Sequence, residues 1–391
     1  MSVQAQIKTQ EPPAYHLHLR RYPVGVGIIT IWLLGALGLG VAVYRWYAGL
    51  GATTNLSDGR PWGLWISFDM MSGIGLAAGA FTVAAVVYIF NLKRFYPIVR
   101  PVILTGFISY VLGAFTMLVD LGQPERIWHL LIYWNIHSPL FEIGWCVMAY
   151  LTVLALEFSP TVFETLGWKV PLRLIRGIQI PLIIAGVTLS TMHQSTLGTM
   201  LLLMTDKVHP LWSSPLLPLY YYLTAIAAGV GMTIFESYHS ARAYGFAFER
   251  KILSSLSKIV PWVLGIYLVL KLGELFISGN YTYLLKGGAP AIMWCIEIFG
   301  GVLIPMMYFI DPRSRTNTDS LVWAAFFTMG GLILNRVNGA TIFWDGAFYL
   351  PSWSEVAVTV GLTCLGVIIF DAAVRFLPLF PEPTEHKVKH L

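Results

Sequence analysis

Five of the carboxylates that interrupt the apolar stretches of this chain, and one histidine, are the first candidates for chemistry. They are Asp69 in WISFDMMSG, Glu142 in SPLFEIGW, Glu157 in LALEFSP, Glu236 in TIFESYHS, Glu297 in WCIEIFGG and His193 in LSTMHQSTLGTML. An ionisable side chain at mid-bilayer costs roughly 2.5–3.5 kcal/mol on insertion scales, so each is a functional suspect. His193 is flanked by Gln194, Ser195, Thr196 and Thr199. Lipid offers such groups no hydrogen bonds, so they face protein, water or a ligand. Carboxylates and an imidazole beside hydroxyl and amide groups suit two kinds of chemistry. One is a quinone site, where carbonyl oxygens need donors and protons must arrive as electrons do. The other is proton- or ion-coupled transport, whose sites lie near the midplane at breaks in paired helices.

The elements that must position these groups are helices. The chain is 56% hydrophobic and 12% charged over 391 residues, a composition of polytopic membrane proteins. Ten apolar runs reach the roughly 20 residues that a membrane-spanning helix needs. They lie near 24–44, 62–90, 102–119, 139–158, 177–204, 215–236, 259–277, 289–309, 321–337 and 354–376. The fold class is therefore an all-α polytopic membrane protein of about ten transmembrane helices. One transmembrane domain over 24–376 is expected, with a polar segment 1–23 before it and a tail 377–391 after it.

The net charge of +5 is a topology signal and not a nucleic-acid footprint. Basic residues gather at the N-terminus (Lys8, Arg20, Arg21), in every second loop (Lys93, Arg94, Arg100; Lys169, Arg173, Arg176; Arg242, Arg250, Lys251, Lys258; Arg313, Arg315) and at the C-terminal end (Arg375, Lys387, Lys389). The positive-inside rule makes both termini cytoplasmic. The opposite loops carry Trp46, Trp62, Trp128, Trp134, Trp212, Trp344 and Trp353, read as an interfacial belt that also offers a partner a docking face.

This orientation puts Asp69, Glu142, His193, Lys271, Glu274, Glu297, Arg336 and Asp120 in a polar layer under the outer surface. The off-centre layer favours the quinone reading over the transporter. Simpler readings stand beside it. Lys271 and Glu274, three apart, suit an intrahelical ion pair. Asp371 and Arg375 suit a pair at the inner end of the last span. Glu157 and Glu236 stand near the inner ends of their spans. Glu142 and Glu157, fifteen residues apart, are about 22 Å apart along one helix and rotated by only about 60°. A proton path could use that arrangement, and so could two unrelated helix-end acids. Gly75, Gly79, Ala80 and Ala84 form a small-residue stripe that admits close helix packing.

Cys146, Cys295 and Cys364 stand in three different spans, without the spacing of an iron–sulfur or zinc site. His193 alone lies well inside a span, and His137, at an outer mouth, is the one candidate to join it as a haem ligand. No haem, iron–sulfur cluster or metal is expected in this chain.

The motifs GRPWGLWISFDMMSGIGLAAGAF, DLGQPERIWHLLIYWNIHSPLFE, LEFSP, TMHQSTLGTM, HPLW and YLPSWSE closely resemble the NrfD/polysulfide-reductase membrane-subunit family. Within it they are similar to the HybB-type branch that anchors NiFe hydrogenase 2. The resemblance runs in order over almost the whole chain. It implies a haem-free protein of the bacterial inner membrane built on two four-helix bundles plus additional helices. It also implies electron transfer between a periplasmic ferredoxin-like iron–sulfur subunit and menaquinone or ubiquinone, with the large and small hydrogenase subunits beyond. The family's proton-transfer acids fall on Glu142, Glu157 and Glu236, and its quinone-side groups on Asp69, His193, Gln194 and Glu142. Gln123 in DLGQPER departs from the arginine of many members.

Overall fold

The computed structural model describes residues 25–204, 206–343 and 348–380. The expected segment 1–23, Trp344, and Lys387 and Lys389 of the tail lie outside the described residues. The chain is helical, and the long helices are α1 (Val26–Ala48), α2 (Trp65–Ile89), α3 (Lys93–Asp120), α4 (Pro139–Leu166), α5 (Gln179–Leu202), α6 (Leu217–Tyr244), α7 (Arg250–Ile277), α8 (Ala289–Ile310), α9 (Thr318–Ile342) and α10 (Trp353–Phe376). Among the described residues, nine helices are long and apolar enough by themselves to cross a membrane. The expected fifth span reaches that standard only with the preceding helix Lys169–Gly177, from which α5 is bent by 61°. The inner end is taken below as the end bearing the basic loops.

Several helices outrun their apolar cores. α4 continues to Leu166 and α6 to Tyr244, each closed by a glycine in the left-handed region, Gly167 (φ 70°) and Gly245 (φ 71°). Such a residue ends a helix without the clash that a β-carbon brings. The extra inner turns carry charge rather than apolar surface. Glu164 of α4 binds Arg100 and Arg176, each at 2.7 Å. Asp371 and Arg375 form the expected pair at 2.8 Å.

Helix contacts close into two rings. In one, α2 packs on α3, α3 on α4, α4 on α5, and α5 returns to α2. In the other, α6, α7, α8 and α9 repeat that order. α6 joins the rings through contacts with α2 and α5, while α1 and α10 pair outside them against α3. Glycine makes the joints. A β-carbon on Gly229 would stand 2.2 Å from the backbone of Gly79, one on Gly301 2.2 Å from Gly331, and one on Gly38 2.5 Å from Gly361. The small stripe of α2 thus serves three neighbours: Gly79 meets α6, Ala80 meets Gly106 of α3, and Gly75 meets Leu332 of α9.

α2, α8 and α9 contain wider π-helical turns, at Trp65–Ser72 and Ala85–Ile89, Ile296–Leu303, and Asn338–Ile342. Such turns are concentrated at functional sites. Here they carry Asp69, Glu297 and Asn338.

Gly229→Val should force α2 and α6 apart. Overpacking a close-packed contact costs about 1–3 kcal/mol, and backbone cannot yield as a side chain does. The expected outcome is a lower midpoint of thermal unfolding in detergent. Gly265→Val, at a site with open space around it, should leave the midpoint near that of the parent. Equal midpoints for both variants would disprove the joint.

Candidate functional site

The predicted site residues within the helices fall in three places. The first is a column inside the ring of α2 to α5. Near its outer end Glu142 Oε1 accepts a hydrogen bond from Thr196 Oγ1 at 2.8 Å. One turn inward His193 is fully buried, its ring 5.7 Å from that of Tyr110 of α3, which in turn meets Tyr150 of α4 edge-on at 4.6 Å. Gln194 Nε2 donates to the Ile74 carbonyl of α2 at 3.1 Å. Below lies Glu157, whose Oε1 is 3.1 Å from where a β-carbon of Gly186 would stand.

In the column both ring nitrogens of His193 are buried without protein partners, and the Tyr110 hydroxyl lies beside Ser190 and Gln194 outside good hydrogen-bond geometry. A buried polar atom left unbonded costs about 1–3 kcal/mol. Several together are held where water or a ligand completes their bonds. The column therefore offers exchangeable donors and acceptors between the carboxylates near its two ends.

The second place is a cavity of about 380 Å³ between α2, α3, α6 and α10, lined by Asp69 and Glu236 amid mostly apolar side chains such as Phe68, Leu76, Leu112, Phe235 and Phe370. Its wall includes Thr363 and Val367 of α10, both exposed at the middle of that helix, so it faces the lipid side. Asp69 Oδ2 accepts from Thr359 Oγ1 of α10 at 2.5 Å. Glu236 Oε1 accepts from Ser240 Oγ at 3.0 Å, and its Oε2 has no partner. Gly79 against Gly229 and Met71 against Tyr221 share one numerical offset, so α2 and α6 run parallel in register. On that register Glu236 lies seventeen residues inward of Asp69, roughly 25 Å along the axis. The cavity is long, with a carboxylate toward each end.

The third place is the charged centre of the second ring. Glu297 accepts from Trp212 Nε1 and Asn335 Nδ2, each at 2.8 Å, and from Asn338 at 3.5 Å. Arg336 is fully buried, lies 3.3 Å over the Tyr221 ring, and donates to the Tyr221 carbonyl (3.0 Å) and Thr224 Oγ1 (2.9 Å). Lys271 and Glu274 do not form the expected intrahelical pair. Glu274 accepts from Tyr220 Oη at 2.8 Å, and Lys271 sits over that tyrosine's ring at 5.3 Å. Burial of His209, which meets Trp212 edge-on in the outer loop, lowers its pKa.

The predicted residues are thus divided. Glu142, His193, Gln194 and Glu157 share the column, whereas Asp69 and Glu236 share the cavity on the other side of α2. His137 is exposed before α4, outward of the Glu142–Thr196 bond, while His193 lies inward of it. That pair does not fit one haem iron. Sequence reasoning missed Tyr110, Ser190 and Thr359. A tyrosine or hydroxyl in an apolar run is too common to signal anything, since threonines bond their own helix, as Thr199 does to the Ser195 carbonyl.

A family model described as polysulphide reductase, NrfD, matches residues 52–338. A probable Ni/Fe-hydrogenase 2 b-type cytochrome subunit of Escherichia coli K12 is 33% identical over 350 residues, covering 87% of this chain and 88% of that protein. A menaquinone reductase integral membrane subunit of Nitratidesulfovibrio vulgaris is 28% identical over 386 residues, covering 88% of this chain and 89% of that protein. An Hdr-like menaquinol oxidoreductase integral membrane subunit of Archaeoglobus fulgidus is 21% identical over 391 residues, covering 92% and 95%. With its apolar helices and a match across most of its length, the chain belongs to the polysulphide reductase, NrfD family and is a multi-pass integral protein of the bacterial inner membrane.

Proposed function

We propose that this chain is the quinone-reactive membrane subunit of a respiratory complex, with both termini cytoplasmic and a redox partner docked on the outer, periplasmic face. The observation that carries the reading is the lipid-facing cavity that holds Asp69. Its volume lies within the range of small-molecule sites. Its apolar walls suit an isoprenoid tail, and its Asp69 end suits a headgroup. The names of the E. coli and N. vulgaris relatives, a hydrogenase subunit and a menaquinone reductase subunit, support it.

A bound menaquinone or ubiquinone supplies acceptor oxygens that take a proton for each electron. Asp69, hydrogen-bonded to Thr359, would hold a proton at the headgroup and orient it. Glu236, farther along the cavity with a free oxygen, would exchange protons with the inner side. Glu142, Thr196, His193, Gln194 and Glu157 would form a second file of exchangeable groups, parallel to the cavity. Electrons would come from iron–sulfur clusters of the partner, which on the hydrogenase reading is a ferredoxin-like subunit carrying the large and small NiFe subunits. Mass spectrometry of what co-purifies from gently solubilised membranes tests that donor. A hydrogenase pair with a ferredoxin-like protein is expected, a multihaem or molybdenum subunit would replace the donor alone, and no redox partner would sink the reading.

Asp69→Asn should lower donor-to-quinone turnover by about a hundredfold, the scale of a lost general acid, while donor-to-dye activity of the partner holds. His193→Leu should slow quinone turnover with the dye reaction intact. Parallel loss of both reactions would give His193 a role in assembly only.

Glu157→Gln and Glu236→Gln should each reduce the charge moved per electron in proteoliposomes. Full turnover and unchanged charge movement in both would refute an inner proton path.

A further inference from the structure

Proton traffic at Asp69 has a second possible direction, toward the nearer outer surface. Three helices place residues one turn outward of the cavity there. On α2, Trp65 stands one turn outward of Asp69. On α10, Glu355 stands one turn outward of Thr359, and the two turns are tied by Trp65 Nε1 donating to the Glu355 carbonyl at 3.2 Å. On α3, Asp120 stands one turn outward of Thr116, which lines the cavity. Ala80 against Gly106 and Ile74 against Gly113 fix the antiparallel register of α2 and α3. That register sets Asp69 level with Met117 and Asp120 roughly 5 Å farther out.

Two acids therefore compete for the position outward of Asp69, and their bonding separates them. The Glu355 carboxylate accepts from Asn55 N (3.1 Å), Leu64 N (3.2 Å), Ser352 N (3.1 Å) and Tyr349 Oη (2.7 Å). Three of these bonds fall on Oε1 and one on Oε2, and together they fasten the outer loops to the start of α10. Asp120 is different. Its Oδ1 is buried without a partner, while the residue as a whole is only partly buried, at the helix end that meets the outer loop. Arg45 of α1 is buried beside it. It donates Nη2–H to the Leu121 carbonyl at 2.5 Å and leaves Nε unbonded. A cation held by the backbone next to a carboxylate, without closing on it, stabilises the charge and leaves oxygen free to exchange a proton.

We propose that Asp120, steadied by Arg45, is the outer proton relay of the Asp69 site. It takes a proton from water at the outer surface and passes it inward to Asp69, or returns one outward when turnover reverses. Only O–H bonds are made and broken, and no other reactant is needed. Asp120 is a relay and Arg45 a positioning residue. The assignment rests on the quinone reading above.

The test uses the complete complex in oriented proteoliposomes, with a pH dye on each side of the membrane and a water-soluble quinone analogue. Asp120→Asn should lower kcat by at least about tenfold with little change in KM, and abolish fast proton exchange on the outer side. A small carboxylic acid such as formate should restore part of the rate, which a merely structural defect would not allow. Unchanged turnover and outer exchange in Asp120→Asn overturn the relay, as does a slow variant that formate leaves unrescued. In Asp120→Glu, which keeps the carboxyl, the redox-triggered infrared bands of protonating carboxyls should shift. Bands identical with the parent's overturn the relay even where the asparagine variant fails to assemble. Asp69→Asn is run alongside. Normal turnover in that variant defeats the quinone reading, whereas a blocked Asp69→Asn with a normal Asp120→Asn defeats the relay alone.

Discussion

The approach of α2 to α6 through Gly79 and Gly229 is the contact on which the rest of the molecule depends. Without a hydrophobic drive between helices in lipid, van der Waals packing and hydrogen bonds must hold the bundle. Two glycines facing each other let backbones touch, and this contact joins one ring of helices to the other. It also fixes the register that puts Asp69 and Glu236 along a common cavity. From the same helix Ile74 offers its carbonyl to Gln194 and Met71 its sulfur to Tyr221, so α2 is shared by all three polar regions. Its π-helical turns let Asp69 face the cavity beside α10 while the Ile74 carbonyl is left to Gln194 of α5.

Buried acids in this protein differ chiefly in how many donors meet them. A hydrogen bond to a charged group contributes about 1.5–3 kcal/mol, so Glu355 with four donors and Glu297 with two close ones are fixed parts of the frame. Asp69 has one donor and Glu236 has one. Glu157 accepts none among the described residues. Acids with open lone pairs are the ones a proton can reach. On the proposed reading that distinction places the chemistry in the cavity and the first column, and leaves the centre of the second ring to hold the outer loops through Trp212. Arg336 belongs to the same frame, spending its guanidinium on Tyr221, Thr224 and Asn335.

Much of this was legible in the sequence. The apolar runs located the helices because hydrocarbon thickness leaves few alternatives, and the small stripe of α2 announced a close contact. Depth was also legible, since counting residues from a helix end gives height in the membrane. Facing was not. Asp69 and His193 look into different compartments, and π-helical turns upset the 3.6-residue count that would have said so. The bend before α5 had a local cue in Pro181, which has no N–H for the Gly177 carbonyl four residues back, where the amphipathic helix Lys169–Gly177 ends. The partnership of Thr359 with Asp69 spans 290 residues of sequence, and no local pattern encodes it.

The height of Asp69 carries an energetic consequence of its own. On the proposed orientation it lies about four residues from the outer end of α2, so a proton reaching it from outside crosses little of the membrane. A proton reaching it past Glu236 crosses roughly 25 Å, most of the hydrocarbon core. Moving one charge through the full field is worth about 2.3 kcal/mol per 100 mV. The same reduction at the same site therefore stores, spends or ignores membrane energy according to which acid supplies the proton. On the proposals above, the cavity would set the inner route, whose apolar walls make it slow unless hydrated, and the short turn to Asp120 would set the outer one. A redox subunit with its acceptor near one surface needs control of that choice more than it needs a metal of its own. The division between well-bonded acids and open ones is where the fold provides it.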